Sequence, residues 1–128
     1  MTPFLVNATR GRTIAAEGTV LRSMWRMALG AMFRGLRGKA LVFVWWRTER
    51  IEITNLFVPE SIDILWLDEQ WRVVALRERF APWALHAANG TPARYVIEVP
   101  AGTVARSGTR IGDRLRCSAF PAPPTVER

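Results

Sequence analysis

The stretch IDILWLDEQWRVVALRE, residues 62–78, has the pattern of two β-strands joined by a short polar turn. Its first six residues alternate with the period of two that a strand requires, so that Ile62 and Ile64 point to the same side. Residues 68–70 are polar and predict the turn, and residues 72–78 resume the alternation. The stretch therefore predicts an antiparallel hairpin that forms part of a β-meander.

Further strands are predicted on both sides of this hairpin. Residues 40–46 form a continuous apolar run, which favours a strand that is buried on both faces. Residues 51–58 and 93–99 are further strand candidates with alternating side chains. Shorter candidates lie at residues 4–6, 13–16 and 110–118.

One main helix is predicted over residues 22–34, because Leu21, Trp25, Ala28 and Met32 recur at helical spacing. Strands otherwise follow one another with short connections. This order predicts a mainly β, β-rich α+β fold, either a small antiparallel β-barrel or a strongly curled sheet. The helix would pack on one face or at an open end.

The length of 128 residues predicts a single compact domain over residues 1–118. The tail, residues 119–128, contains three prolines and is expected to be disordered.

A single cysteine excludes an intramolecular disulfide. No apolar run approaches the roughly 20 residues that a membrane-spanning helix needs. The sequence thus predicts a cytoplasmic protein without a membrane span.

The net charge of +7 is concentrated in the first 50 residues, and every basic residue except Lys39 is arginine. Basic surfaces attract nucleic acids without sequence specificity. However, no known nucleic-acid-binding module is recognisable, and most of the six tryptophans fall in predicted strands or on the helix. Nucleic-acid association is therefore an alternative function and not the leading one.

An ordered set of segments between Asn7 and Arg116 comprises residues 32–34, 40–44, 62–65, 67–69, 72–74, 82–83, 92–102 and 112–113. Taken together, these segments resemble the domain-of-unknown-function family 192, and most closely its archaeal members. The strongest part of the resemblance is the stretch from Arg94 to Gly102. The resemblance implies a small β-rich domain with a helix, and it implies no established activity.

This sequence departs from the family pattern at three places. Ala31 stands where the family often has leucine, and Thr54-Asn55 stands where the family usually has a Trp-Met or His-Met pair. Trp71 replaces the glycine that normally follows the Asp-Glu turn. We expect Trp71 to cover a neighbouring apolar surface, since tryptophan is mostly buried in folded proteins.

No catalytic or metal-binding constellation is recognisable. The only histidine, His86, falls in the predicted loop of residues 79–92, and Cys117 falls in the last predicted strand. A zinc site would require more ligands of suitable spacing than these two residues supply. The sequence therefore predicts no catalytic residue, no metal and no cofactor. Gly112-Asp113 and Gly102 are predicted to be structural turn residues.

Two carboxylates, Asp63 and Glu98, interrupt strongly apolar strand candidates. A buried acid is unfavourable unless it is paired, and Arg77 and Arg94 are possible partners. Trp83 lies in the long loop of residues 79–92, and such loops often bind ligands. The residues predicted to form a binding site are Asn55, Asp63, Arg77, Trp83 and Glu98.

The leading hypothesis is a small non-enzymatic binding domain for a polar small molecule or a protein partner. In this hypothesis the tryptophan supplies contact area and the charged residues orient the ligand. One alternative is a hydrolase-type enzyme that uses Asp63 and Glu98 as paired carboxylates. The second alternative is a basic protein that associates with nucleic acid.

Overall fold

The computed structural model describes residues 2–22, 39–53, 60–81, 87–88 and 90–121. These residues contain ten strands and one short helix. The strands are β1 (Leu5–Asn7), β2 (Arg12–Ala15), β3 (Gly18–Leu21), β4 (Ala40–Glu49), β5 (Glu52–Ile53), β6 (Ile62–Leu67), β7 (Val73–Phe80), β8 (Ala87–Ala88), β9 (Ala93–Pro100) and β10 (Leu115–Cys117). The helix is α1 (Thr103–Ser107).

A five-stranded sheet in the order β3-β4-β9-β6-β7 forms the centre of the molecule. A second sheet has the order β10-β1-β2, and β5 pairs with β8. The predicted β-rich α+β fold with a curled sheet is confirmed. The alternative of a closed barrel is wrong for the described strands, because β3 and β7 are the two edges of the central sheet.

Two details of the predicted topology need correction. The hairpin of β6 and β7 forms as predicted, but β9 lies between β4 and β6 and interrupts the expected meander. Strand β9 is central because Val96, Ile97 and Val99 are buried on both of its faces. The sheet is also not entirely antiparallel, since β3 runs parallel to β4.

The predicted main helix falls almost entirely outside the described residues, which omit residues 23–38. Its first apolar position, Leu21, is the last residue of β3. The sequence did not predict this strand, because Gly18 suggested a break in regular structure at that point. Gly18 is instead the position at which β3 begins its pairing with Ala40 of β4.

The central sheet is buried on both faces. We call the side of Leu65, Ile97 and Val99 the first face; it packs together with residues of β1, β2, β10 and α1. We call the opposite side, which carries Ile64 and Val96, the second face. The second face also includes Trp66, Phe43 and Leu21, and the indole N–H of Trp66 donates to the carbonyl of Ile51 at 3.1 Å. The two faces explain why the central strands are apolar throughout.

Trp71 covers an apolar surface, as the sequence predicted. It is 6% exposed, and its ring centroid lies 4.6 Å from that of Tyr95 and 4.9 Å from that of Phe120. Its φ angle of 62° lies in the left-handed region that favours glycine. The packing of the ring against Tyr95 and Phe120 compensates for the strain of this backbone conformation.

The predicted turn roles of two glycines are confirmed. Gly102 and Gly112 have φ angles of 93° and 96°, which only glycine adopts without strain. Cys117 is 2% exposed within β10, and burial raises the pKa of its thiol. It therefore behaves as a small apolar core residue.

Candidate functional site

Three of the five predicted site residues lie in the described part of the chain. Asp63 belongs to β6, Arg77 to β7 and Glu98 to β9, which are neighbouring strands of the central sheet. The other two, Asn55 and Trp83, lie outside the described residues. The geometry of the candidate site is therefore built from the first three residues.

Asp63 organises the backbone around it. The residue is fully buried, and its Oδ1 accepts a hydrogen bond of 2.9 Å from the N–H of Arg79. Its Oδ2 accepts bonds from the N–H groups of Gly102 at 3.1 Å and Val104 at 2.9 Å, at the beginning of α1. Arg79 has a φ of 53° at an irregularity in the β6–β7 pairing, and Asp63 holds this unusual backbone in place. The carboxylate of Asp63 thus joins the sheet to α1.

Glu98 has very different surroundings. It lies directly opposite Leu41 of β4 and Ile64 of β6, so its side chain is on the second face between two apolar neighbours. It is 3% exposed, and burial raises the pKa of its carboxyl group from 4.5 to about 8. Within the described ranges, no group forms a hydrogen bond or an ion pair with this carboxyl group.

Asp63 and Glu98 do not converge. In the pairing of β6 with β9, Asp63 lies opposite Val99 and Glu98 lies opposite Ile64. The two acids are therefore one residue out of line with each other. Successive side chains of a strand point to opposite faces, and Asp63 therefore lies on the first face while Glu98 lies on the second. The paired carboxylates that the hydrolase hypothesis requires are not formed.

Arg77 shares the second face with Glu98. It is paired with Ile64, which itself is paired with Glu98, so the three residues form one row across β7, β6 and β9. Two strand spacings separate Arg77 from Glu98, or about 10 Å. Arg77 is exposed at the sheet edge, with its guanidinium 5.4 Å from the ring centroid of Phe80. The ion pairs of the described residues do not include one between Arg77 and Glu98. Arg94 donates from Nε to the carbonyl of Trp45.

Sequence reasoning found the unusual acids but could not assign their roles. A sequence signal for the role of Asp63 is the segment Pro100-Ala101-Gly102. It precedes α1 and places the N–H groups of Gly102 and Val104 next to Asp63 of β6. The signal for Glu98 was its apolar flanks, Val96, Ile97 and Val99, which indicate a central strand. Only the register decides which face each acid occupies.

The described residues contain no group of three or more His, Cys, Asp or Glu side chains that could hold a metal ion. Within the same part of the chain, no helix combines the length and apolar character that a membrane crossing needs.

Comparison with known proteins gives the relatives of this chain. The model of the DUF192 family, described as uncharacterized ACR, matches residues 5–117. A UPF0127 protein of Pyrococcus furiosus is 33% identical over 113 residues, which cover 87% of this chain and 95% of that protein. A UPF0127 protein of Pyrococcus horikoshii is 33% identical over 114 residues, covering 88% and 96% respectively. The family and the archaeal similarity predicted from the ordered segments are confirmed.

Two solved structures have the same fold. One is a protein of unknown function from Novosphingobium aromaticivorans, with a TM-score of 0.78 and 23% identity, covering 90% of this chain and 84% of that one. The other is a putative transcription regulator from Sinorhizobium meliloti, with a TM-score of 0.78 and 22% identity, covering 94% and 99%. At this level of identity the likeness concerns the fold alone.

Proposed function

Because this chain belongs to the DUF192 family, whose description assigns no activity, we propose a function from the chemistry of Glu98. The protein is a non-enzymatic binding domain that holds a small polar molecule against the Glu98 carboxyl group. The observation that carries this proposal is a carboxyl group that is 3% exposed, on an apolar face, without a partner among the described residues.

Such a group is unfavourable for folding. Burying a polar group without a hydrogen bond destabilises a protein by roughly 1–3 kcal/mol, and nearly all buried polar atoms in native proteins are paired. A leucine or valine at this position would pack between Leu41 and Ile64 without that penalty. A ligand that pairs with the carboxyl group supplies hydrogen bonds that the described residues do not supply, and it gives a reason for a glutamate here.

The protonation state of Glu98 indicates the class of ligand. Since burial raises its pKa to about 8, the carboxyl group is mostly protonated at pH 7. A protonated carboxyl group donates one hydrogen bond from its O–H and accepts others at its second oxygen. An uncharged amide or urea group offers the complementary acceptor and donor side by side. We therefore propose a neutral ligand that carries such a group.

Arg77 gives the proposed ligand a second contact. It lies in the same row as Glu98, about 10 Å away across two strand spacings. Its position over Phe80 leaves N–H donors at the sheet edge. A small molecule could thus contact Glu98 with its amide and Arg77 with a polar group at the other end. Because Glu98 is buried, neighbouring side chains must move apart to admit it.

A binding role is favoured over catalysis by the separation of the two acids. Asp63 uses both of its carboxylate oxygens to hold backbone N–H groups, on the face opposite Glu98. It is therefore not available as the second carboxylate of a hydrolytic pair. The roles predicted for Asn55 and Trp83 in the same site remain predictions.

The proposal predicts that neutral amides bind at Glu98. A fragment set of primary amides and ureas is titrated into the wild type and into Glu98→Leu, and binding is followed by NMR. We expect signals of Leu41, Ile64 and Glu98 to shift in the wild type. In Glu98→Leu the affinity for these fragments should fall about tenfold or more, because the variant lacks the hydrogen bond to the carboxyl group.

Glu78→Gln is the matched control, since Glu78 is exposed on β7. This variant should bind the fragments as the wild type does. The proposal is wrong if no fragment shifts the Glu98 neighbours, or if Glu98→Leu binds the same fragments with unchanged affinity.

A further inference from the structure

A cleft rich in arginine lies where the β1–β2 turn meets α1. It has a volume of about 610 Å³ and is lined by Arg10, Arg12, Arg106 and Arg110, which together define the arginine cleft. We propose that the arginine cleft binds a small anion that carries a phosphate group. This site shares no residue with the Glu98 site and does not depend on the function proposed there.

The positive charge of the arginine cleft is largely uncompensated. Arg12, Arg106 and Arg110 are exposed, and no described carboxylate lies within salt-bridge distance of their side chains. No acidic residue lines the cleft. Like charges that share a concave surface repel one another and attract anions from solution. The arrangement is therefore unfavourable by itself and becomes favourable when an anion occupies the cleft.

Arg10, one of the four arginines of the cleft, is held in place by Asp113. Arg10 donates from Nε to Oδ2 of Asp113 at 2.6 Å and from Nη2 to Oδ1 at 3.2 Å. Asp113 is 4% exposed, and its Oδ2 also accepts bonds of 2.9 Å from Asn7 and from the N–H of Arg110. These two bonds to Asp113 use only part of the guanidinium, so further N–H donors of Arg10 remain for a ligand. The side chain of Arg10 is 35% exposed.

The ionisation of Asp113 supports this arrangement. Burial by itself would raise the pKa of Asp113, but the hydrogen bonds from Arg10, Asn7 and the Arg110 N–H lower it below its ordinary value. The carboxylate is therefore charged at neutral pH and fixes the direction of the Arg10 guanidinium. A guanidinium fixed in direction loses less conformational entropy when it binds a ligand.

The shape and the residue type of the cleft point to a small phosphate-bearing ligand. Guanidinium groups match the oxygens of phosphate with two parallel hydrogen bonds, which an ammonium group cannot do. A volume of about 610 Å³ falls within the range of small-molecule sites. A nucleic-acid duplex would instead require a broad basic surface that follows its backbone.

The test uses inorganic pyrophosphate as the probe, at constant ionic strength, with backbone amide NMR signals and calorimetry as readouts. We expect signals of residues 9–12 and 105–110 to shift in the wild type. In the double variant R106Q/R110Q the dissociation constant should rise about tenfold or more, because two charge-assisted contacts are lost.

The matched control is the double variant R72Q/R116Q, which removes the same number of charges from exposed positions outside the arginine cleft. It should bind pyrophosphate with nearly unchanged affinity. Equal weakening in the two double variants would overturn the proposal, since it would reflect net charge alone. A second result would also overturn the proposal: single-stranded DNA binds, pyrophosphate does not displace it, and the two ligands shift the NMR signals of different residues.

Discussion

Replacing Glu98 by glutamine is expected to remove a pH-dependent loss of stability from this protein. In the unfolded chain the carboxyl group titrates at its ordinary pKa of 4.5, whereas burial raises the pKa to about 8 in the folded state. Between these values the folded protein keeps a proton that the unfolded chain has lost, so wild-type stability falls as the pH rises from 4.5 to 8. At about 1.4 kcal/mol per pH unit, the accumulated loss at pH 7 is on the order of 3 kcal/mol.

Urea denaturation of the wild type and Glu98→Gln between pH 4.5 and pH 8 measures this effect. Glutamine cannot ionise, so the stability advantage of the variant over the wild type should grow with pH by about 3 kcal/mol up to pH 7. Glu78→Gln, at an exposed position, should follow the wild-type curve. Parallel curves for the wild type and Glu98→Gln would show that Glu98 is not buried as described.

Asp63→Ala is expected to cause the second large effect. It removes the acceptor of three backbone N–H groups, those of Arg79, Gly102 and Val104, at a fully buried position. A typical hydrogen bond contributes about 0.5–1.5 kcal/mol net, and donors that are left buried without an acceptor add a desolvation penalty. We expect a loss of about 3–5 kcal/mol in the free energy of unfolding, measured by urea denaturation.

Asp68→Ala provides the comparison for this prediction. Asp68 also accepts two backbone hydrogen bonds, from Gln70 and Arg72, but in a turn that is open to solvent. Water can replace those bonds, so a loss of about 1 kcal/mol is expected. If Asp63→Ala is no more destabilising than Asp68→Ala, then Asp63 does not join the sheet to α1.

The strands could be predicted from the sequence because short apolar segments bounded by polar turn residues are typical of buried strands. Residues 62–67 and 93–99 were found in this way, and they form β6 and most of β9. The position of β9 between β4 and β6 could not be predicted, since pairing between distant strands leaves no local pattern. The parallel strand β3 was missed because it is only four residues long and begins with Gly18.

Asp63 and Glu98 could be singled out from the sequence, but their relative geometry could not be predicted. Asp63 and Glu98 look alike in the sequence, as single acids within apolar strands. A register difference of one residue sends them to opposite faces, and this register depends on the whole sheet. The arginine cleft could not be predicted from the sequence, because it also depends on contacts between distant parts of the chain. Arg10 and Arg110 are far apart in the chain and are brought together through Asp113.

The most direct test of this account is the titration of the Glu98 carboxyl carbon by NMR in the intact protein. Burial between Leu41 and Ile64, with no hydrogen-bonding partner among the described residues, predicts a midpoint near pH 8. A midpoint close to the ordinary value of 4.5 would mean that water or another group already solvates this carboxyl group. The proposed binding role of Glu98 would then lose its basis.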